Sequence, residues 1–199
     1  MKLLAYDTSG EVLSVALFDG QKVVRELNEM SSVRHSTALA PAIQKLLRKA
    51  RWNIKDLDCI AVGIGPGSFT GLRVGVTTAK TLAWALGKKL VGVSSLEALA
   101  LEAGGGREGM IAVALDAKKG QVYAGTYRLR NGKLAVVKRP RLAKREEFES
   151  VITAACPRAS KIAAVALQRI REKKFTDPRR LAPLYLHPKD CNVTHAKRK

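Results

Sequence analysis

The first thirty residues of this chain run through a fixed order of apolar segments, turns and an aspartate. That order returns in the second half, and the repetition limits the fold more than any other feature. The first copy reads Leu3-Leu4-Ala5-Tyr6-Asp7-Thr8-Ser9-Gly10, then Val12–Phe18, a turn at Asp19-Gly20, and Lys22–Leu27. The second reads Ala112-Val113-Ala114-Leu115-Asp116, a turn ending at Gly120, Val122–Tyr127, a turn at Asn131-Gly132, and Leu134–Val137. Asp-Gly and Asn-Gly are the pairs that type I′ hairpin turns require, because both central residues need positive φ. Each copy is therefore a three-stranded meander whose first strand ends in Asp.

Helical patterns follow each meander. In the first half Leu39, Ile43, Leu46, Leu47 and Ala50 recur at helical spacing. A strand at Cys59–Ile64 follows, then a second helix with the stripe Leu72, Val76, Ala79, Ala83 and Leu86, and a short strand at Leu90–Val93. The second half predicts helices near Glu146–Ala155 and Ala159–Glu172, then a Pro-broken extended segment from Asp177 to Leu186. The fold class is α/β with two related lobes. Residues 1–100 form an N-terminal lobe with a glycine loop and candidate interface helices. Residues 101–199 form a smaller, basic, reduced C-terminal lobe.

The glycine loop, Gly63-Ile64-Gly65-Pro66-Gly67-Ser68-Phe69-Thr70-Gly71-Leu72-Arg73, joins a strand to a helix N-terminus. Such a junction suits either a phosphate or a closely packed backbone. It is not a P-loop, since no Gly-Lys-Ser/Thr follows. Ser68 occupies the last glycine position of the dinucleotide pattern, and the sequence after Ser68 excludes a nucleophile elbow. Gly67 and Gly71 are expected to permit the turn, and Ser68 or Thr70 to cap the helix.

Two carboxylates at equivalent places, Asp7 and Asp116, are what a nucleotide–metal cleft between lobes would use, with Thr8, Ser9, Gly67 and Ser68 supplying phosphate contacts. The competing reading makes them turn caps, with Thr8 and Ser9 bonding the local backbone. Lys118 and Lys119 follow Asp116 where the first lobe has hydroxyl residues, which favours the capping role there.

Charge divides the halves. The net charge is +19, with 13 Lys+Arg against 8 Asp+Glu in residues 1–100 and 23 against 9 in residues 101–199. Such a surface is either solubilising or attractive to polyanions. The basic clusters hold no interleaved aromatics, which argues against a platform for single strands. Cys59, Cys156 and Cys191 are scattered, with no C-x-x-C pair. Cysteine usage of that kind, an early carboxylate at Asp7 and no apolar run of membrane length predict a cytoplasmic protein with no membrane association.

Five segments carry a family resemblance in the right order. They are Leu4–Ser9, Arg34-His35-Ser36, Ala61–Arg73, Gly92-Val93-Ser94-Ser95-Leu96-Glu97-Ala98 and Leu115-Asp116-Ala117. Together they resemble the TsaB (YeaZ) family, bacterial subunits of the tRNA threonylcarbamoyladenosine machinery, over residues 1–125 and again at Pro183–Leu186. The resemblance implies the actin/Hsp70/sugar-kinase (ribonuclease H-like) fold, in agreement with the two-lobe reading. It also implies an absence: the catalytic relative TsaD carries a His-x-Glu-x-His metal site where this chain has Ser95-Leu96-Glu97-Ala98-Leu99. His35, His187 and His195 form no ligand pair at helical spacing.

The function implied is a non-catalytic scaffold subunit with no metal site and no catalytic residue. It pairs with TsaD, is joined by the ATPase TsaE, and reaches tRNA through the complex. TsaD transfers threonylcarbamoyl to the adenosine next to the anticodon. The two helices of the first lobe would pack on the matching pair of TsaD, or of a second copy in a homodimer, with Leu39, Ile43, Leu47, Leu72, Val76, Ala79 and Ala83 as the partner interface. Small residues at Gly75, Ala79, Ala83 and Ala85 would let another backbone approach. No tightly bound cofactor is implied, and any nucleotide would sit at the TsaD interface. The alternatives are an independent ATP-binding phosphotransferase or ATPase of the same fold using Asp7 and Asp116, and a general nucleic-acid binder driven by charge.

Overall fold

The computed structural model describes residues 1–30, 35–153 and 156–186. Arg34, His187, Cys191, His195 and the terminal Lys197-Arg198-Lys199, all singled out in the sequence, lie outside the described residues. The first sheet has the strand order β3-β2-β1-β4-β5. Its meander is β1 (Lys2–Asp7), β2 (Val12–Asp19) and β3 (Lys22–Met30), and β4 (Cys59–Gly63) and β5 (Lys89–Val93) add in parallel. Helix α1 (His35–Ala50) crosses from β3 to β4, and α2 (Phe69–Leu86) from β4 to β5. An antiparallel meander followed by parallel strands in this order is the ribonuclease H-like arrangement.

The second sheet repeats the topology with one strand fewer. Strands β6 (Gly109–Lys118), β7 (Gln121–Arg130) and β8 (Lys133–Lys144) form the meander, and β9 (Ile152–Thr153) pairs in parallel with β6 as β4 pairs with β1. The order is β8-β7-β6-β9. The helix expected near Glu146–Ala155 is absent over its described part. A seven-residue 3₁₀ segment, Arg145–Val151, takes its place, broken at Phe148 (φ −136°), and leads straight into β9. Phe148, Val151, Ile152 and Ala155 stand at helical spacing, but the β-branched Ile152 and Thr153 pair with β6 as β9, and Phe148 packs on the small cluster of Ala114, Val122, Ala124 and Ala143. A helix through this stretch would leave the edge of β6 without that parallel strand.

β1 lies mid-sheet and is buried on both faces, so its four apolar residues run without alternation. Leu4 and Tyr6 face α1 and α2, in a core with Leu39, Ile43, Leu47, Val76, Ala79 and Ala83. Leu3 and Ala5 face the other way. There they join α3 (Ser95–Gly104), α4 (Ala159–Arg171) and the inner face of the second sheet. α4 belongs to the second half of the sequence yet packs on β1, β2, β4 and β5, and Leu181 closes the α1–α2 core. Among the described residues no helix is long and apolar enough to cross a membrane.

Candidate functional site

The glycine loop and the end of β1 form one knot. Asp7 has no exposed surface. Its Oδ1 accepts from the Ser9 amide (2.7 Å) and hydroxyl (2.6 Å), and its Oδ2 accepts from the Ser95 hydroxyl (2.8 Å). Burial holds the carboxyl above the ordinary aspartate range, although these hydrogen bonds favour the anion. The Thr8 hydroxyl donates to the Gly71 carbonyl at 2.7 Å, and the Ser68 amide donates to the Ser9 carbonyl at 2.7 Å. The Tyr6 hydroxyl donates to the Gly75 carbonyl at 2.9 Å.

The glycines serve close approach. A Cβ on Gly63 would stand 1.8 Å from Asp7 Oδ2, on Gly67 2.3 Å from the Ser9 carbonyl, on Gly71 2.0 Å from the Thr8 carbonyl, and on Gly75 2.2 Å from Thr8 Oγ1. Gly67 and Gly71, expected to permit the turn, do so by close approach, and positive φ in the loop falls at Gly65 (+98°). Ser68 caps α2 by accepting from the Gly71 amide at 3.3 Å. The backbone admitted by the small residues of α2 is thus the chain's own, residues 8 and 9. Where the sequence offered Asp7, Thr8, Ser9, Gly67 and Ser68 as phosphate contacts, the structure bonds Ser9 to both Asp7 and Ser68, sets Gly67 against Ser9, ties Thr8 to Gly71, and turns the polar groups of the first three inward.

α3 fastens the knot from the other side. Ser94 and Glu97 form a capping box, and the Ser94 hydroxyl donates to the Gly65 carbonyl at 3.1 Å. The Ser95 amide donates to the same carbonyl, and the Ser95 hydroxyl accepts from the Gly65 amide at 3.2 Å. Glu97 is buried, and both its carboxylate oxygens accept from Nη2 of Arg169 on α4, at 2.7 and 2.8 Å. Arg169 also donates to the Gly92 carbonyl. Leu99 is core. So the two positions where TsaD would carry histidines bind Asp7 and fill the core. Sequence reasoning missed these roles for Ser94, Ser95, Glu97 and Arg169. The Ser94-x-x-Glu97 spacing was a readable signal for the first half of the network; nothing marked Arg169 among its neighbouring cations.

Asp116 does not mirror Asp7. It is half-exposed, stands opposite Val122, and pairs with Arg145 at 3.1 Å. His35 begins α1, and its Nε2 contacts the Gly10 carbonyl at 2.8 Å. Cys59 is fully buried, and desolvation pushes its thiol up to about 12.

The seven residues assigned to a partner surface require correction. Leu39, Ile43, Leu47, Leu72, Val76, Ala79 and Ala83 are between 0% and 5% exposed within the chain alone. They cover β1, β2 and β4, because an apolar stripe in a two-layer lobe is spent on the sheet. The outward face of α2 is a different set: Thr70, Arg73, Thr77, Thr81, Trp84 and Ala85 are exposed, with Trp84 at 79%. On α1 the exposed residues include Ala40, Pro41 and Gln44. At the start of α2, Phe69 is exposed, packs on Tyr185 with centroids 5.2 Å apart, and lies under the Arg73 guanidinium at 3.9 Å. Trp84, which sequence reasoning did not single out, lies off the stripe Leu72, Val76, Ala79 and Ala83, and that spacing was the signal available for its exposure.

A family model described as TsaD, tRNA N6-adenosine threonylcarbamoyltransferase, matches residues 27–193. The tRNA threonylcarbamoyladenosine biosynthesis protein TsaB of Bacillus subtilis (strain 168) is 44% identical over 137 residues, covering 69% of this chain and 59% of that protein. The protein of the same description in Escherichia coli (strain K12) is 35% identical over 131 residues, covering 64% and 55%. The chain thus spans little more than half the length of these relatives. Among solved structures, YeaZ from Pseudomonas aeruginosa superposes with a TM-score of 0.84 at 27% identity, covering 93% of this chain and 99% of that one.

Proposed function

We propose, for a chain that belongs to the TsaD family of that description and within it to the TsaB (YeaZ) proteins, a scaffold role in forming threonylcarbamoyladenosine on tRNA. In this reading the chain supplies no catalytic group. It pairs with a TsaD-type transferase through the outward faces of α1 and α2, and TsaE joins the assembly. The observation that carries it is the outward face of α2. In a chain of net charge +19, the exposed residues Thr70, Thr77, Thr81, Trp84 and Ala85 are all uncharged, with Arg73 as the one cation among them. An exposed tryptophan on a helix face poor in charge is the composition of an interface centre.

The closed geometry at Asp7 supports the same reading over an independent phosphotransferase. That alternative needs Asp7 and Asp116 facing a shared cleft. Asp7 is enclosed by Ser9, Ser95 and Gly63, and Asp116 is occupied with Arg145 on the second sheet. A nucleotide, where one takes part, would sit at the interface with the TsaD-type partner.

The test is co-purification with a TsaD-type partner by size exclusion with light scattering, followed by reconstituted tRNA modification with TsaE. A heterodimer is expected, and omitting this chain should abolish transfer. Trp84→Glu should prevent pairing while leaving the circular dichroism spectrum of the chain unchanged. Full transfer by the partner and TsaE without this chain would overturn the proposal.

A further inference from the structure

Among the described residues, the second sheet leaves one face uncovered at its hairpin end. Directly opposed residues of an antiparallel pair share a face. In β7 the inward residues Tyr123, Tyr127 and Leu129 are buried in the core, so Thr126, Arg128 and Arg130 face outward. Register then adds their partners: Met110 and Ala135 beside Arg128, Ala112 and Lys138 beside Thr126, Lys133 beside Arg130, and Arg141 one row further on beside Ala124. All five cations are exposed. The residues between them, Ala112, Thr126 and Ala135, are short and leave the middle of the face low.

Acidic groups stand at both ends of the sheet and pair there with other groups. Glu147 pairs with Arg141 and Asp116 with Arg145, both at the end of the sheet near Phe148. At the hairpin end Glu108 accepts from the Asn131 amide, and Lys133 feels Glu172 of α4. Arg128 touches only the Met110 sulfur, at 3.4 Å, and Arg130 and Lys138 have no ion-pair partner among the described residues. Successive outward residues of a strand lie about 7 Å apart and neighbouring strands about 4.8 Å apart. The cations are therefore spread over a flat area instead of converging on one point.

We propose that this face, with Arg128, Arg130 and Lys138 at its centre, docks the phosphate backbone of a folded RNA. A spread of cations matches a polyanion better than a single phosphate group. No aromatic side chain stands on the hairpin half of the face for bases to stack on, and arginines and lysine on a flat sheet contact phosphates without reading sequence. The choice of RNA over other polyanions rests on the function proposed above; the charge geometry does not.

The test measures binding of unfractionated tRNA to the full chain by fluorescence anisotropy, from about 50 to about 200 mM salt. Three phosphate contacts predict a roughly forty-fold loss of affinity across that range. The triple variant Arg128→Gln, Arg130→Gln, Lys138→Gln should bind more weakly and lose most of that salt dependence. Lys22→Gln, Lys49→Gln, Lys55→Gln, an equal charge change on the first lobe, should retain it. The sheet-face triple behaving like this control overturns the inference, as does tighter binding of the parent to phosphatidylserine vesicles than to tRNA. Pairing with the TsaD-type partner is scored separately: a sheet-face triple that pairs but loses tRNA supports the inference, while a parent that fails to pair yet keeps the sheet-dependent tRNA affinity refutes only the scaffold reading.

Discussion

Replacing Asp7 separates two accounts of the buried carboxyl, as a structural acceptor or as a site for charge. Asp7→Ala removes the acceptor of three buried donors, the Ser9 amide and the hydroxyls of Ser9 and Ser95. The amide cannot turn away, and stranding it costs about 1–3 kcal/mol; the hydroxyls rotate and lose less, giving a total of roughly 2–5 kcal/mol. With a urea m-value of roughly 2–3 kcal/mol/M, the unfolding midpoint by far-ultraviolet circular dichroism should fall by about 1–2 M. Asp7→Asn keeps an acceptor for Ser9 and offers an amide to the Ser95 oxygen, so it should stay within about 1 kcal/mol of the parent. The two should also differ in pH dependence. Burial raises the carboxyl above its ordinary range in the folded chain. A raised pKa contributes stability at low pH and loses it as pH rises through the folded value. As pH rises from the ordinary aspartate range, the difference between Asn and parent should therefore move in favour of Asn. If Asp7→Asn is as damaging as Asp7→Ala, or the parent gains on it with rising pH, the anion itself is required and the acceptor account fails. Protection of the parent, but not of Asp7→Asn, by magnesium and ATP would refute it equally.

Other positions give further tests. Arg169→Met strands the buried Glu97 carboxylate and should cost about 3–5 kcal/mol, whereas adding Glu97→Gln should recover a large part, read as a double-mutant cycle in urea. Gly67→Ala puts a methyl 2.3 Å from the Ser9 carbonyl and should destabilise by about 1–3 kcal/mol; a neutral result would show that loop and turn do not pack as described. Ala79→Glu should unfold the chain, because Ala79 is fully buried, where Trp84→Glu should leave it folded.

How much of this was legible depended on whether the signal was local. The duplicated meanders were, since each rests on apolar alternation and on Asp-Gly or Asn-Gly turns that declare their own geometry. α4 was visible as a helix from its spacing, but its docking on the first sheet is a tertiary fact with no local mark. The helix expected near Glu146–Ala155 failed because the helical spacing of Phe148, Val151 and Ile152 carries no mark of the pairing that draws Ile152 and Thr153 to the edge of β6. The interface assignment failed for a related reason. A stripe such as Leu72, Val76, Ala79 and Ala83 shows that a helix has an apolar face, but the lobe's own sheet has first claim on it. On the scaffold reading proposed above, a partner face is sought among the exposed residues, where Trp84 and the low charge around it stand out.

The glycine loop shows why one sequence pattern admits opposite chemistries. A strand that passes through glycines into a helix presents backbone closely to whatever lies against it, and the pattern does not say what that is. Here the space is filled from within. Gly67, Gly71 and Gly75 recur every four residues from the loop into α2, and the turn at Thr8 and Ser9 lies in the channel they leave. Ser95 completes the enclosure by bonding Asp7 and both polar groups of Gly65. A ligand at this place would have to displace the Ser9 carbonyl from the Ser68 amide and uncover Asp7, breaking contacts that join β1, α2 and α3 at once. The same knot fixes where α2 begins, and hence the direction of its outward face, whose one exposed cation is Arg73. In this chain the loop orients a helix, and the polar groups that could have held a phosphate are used to hold that orientation.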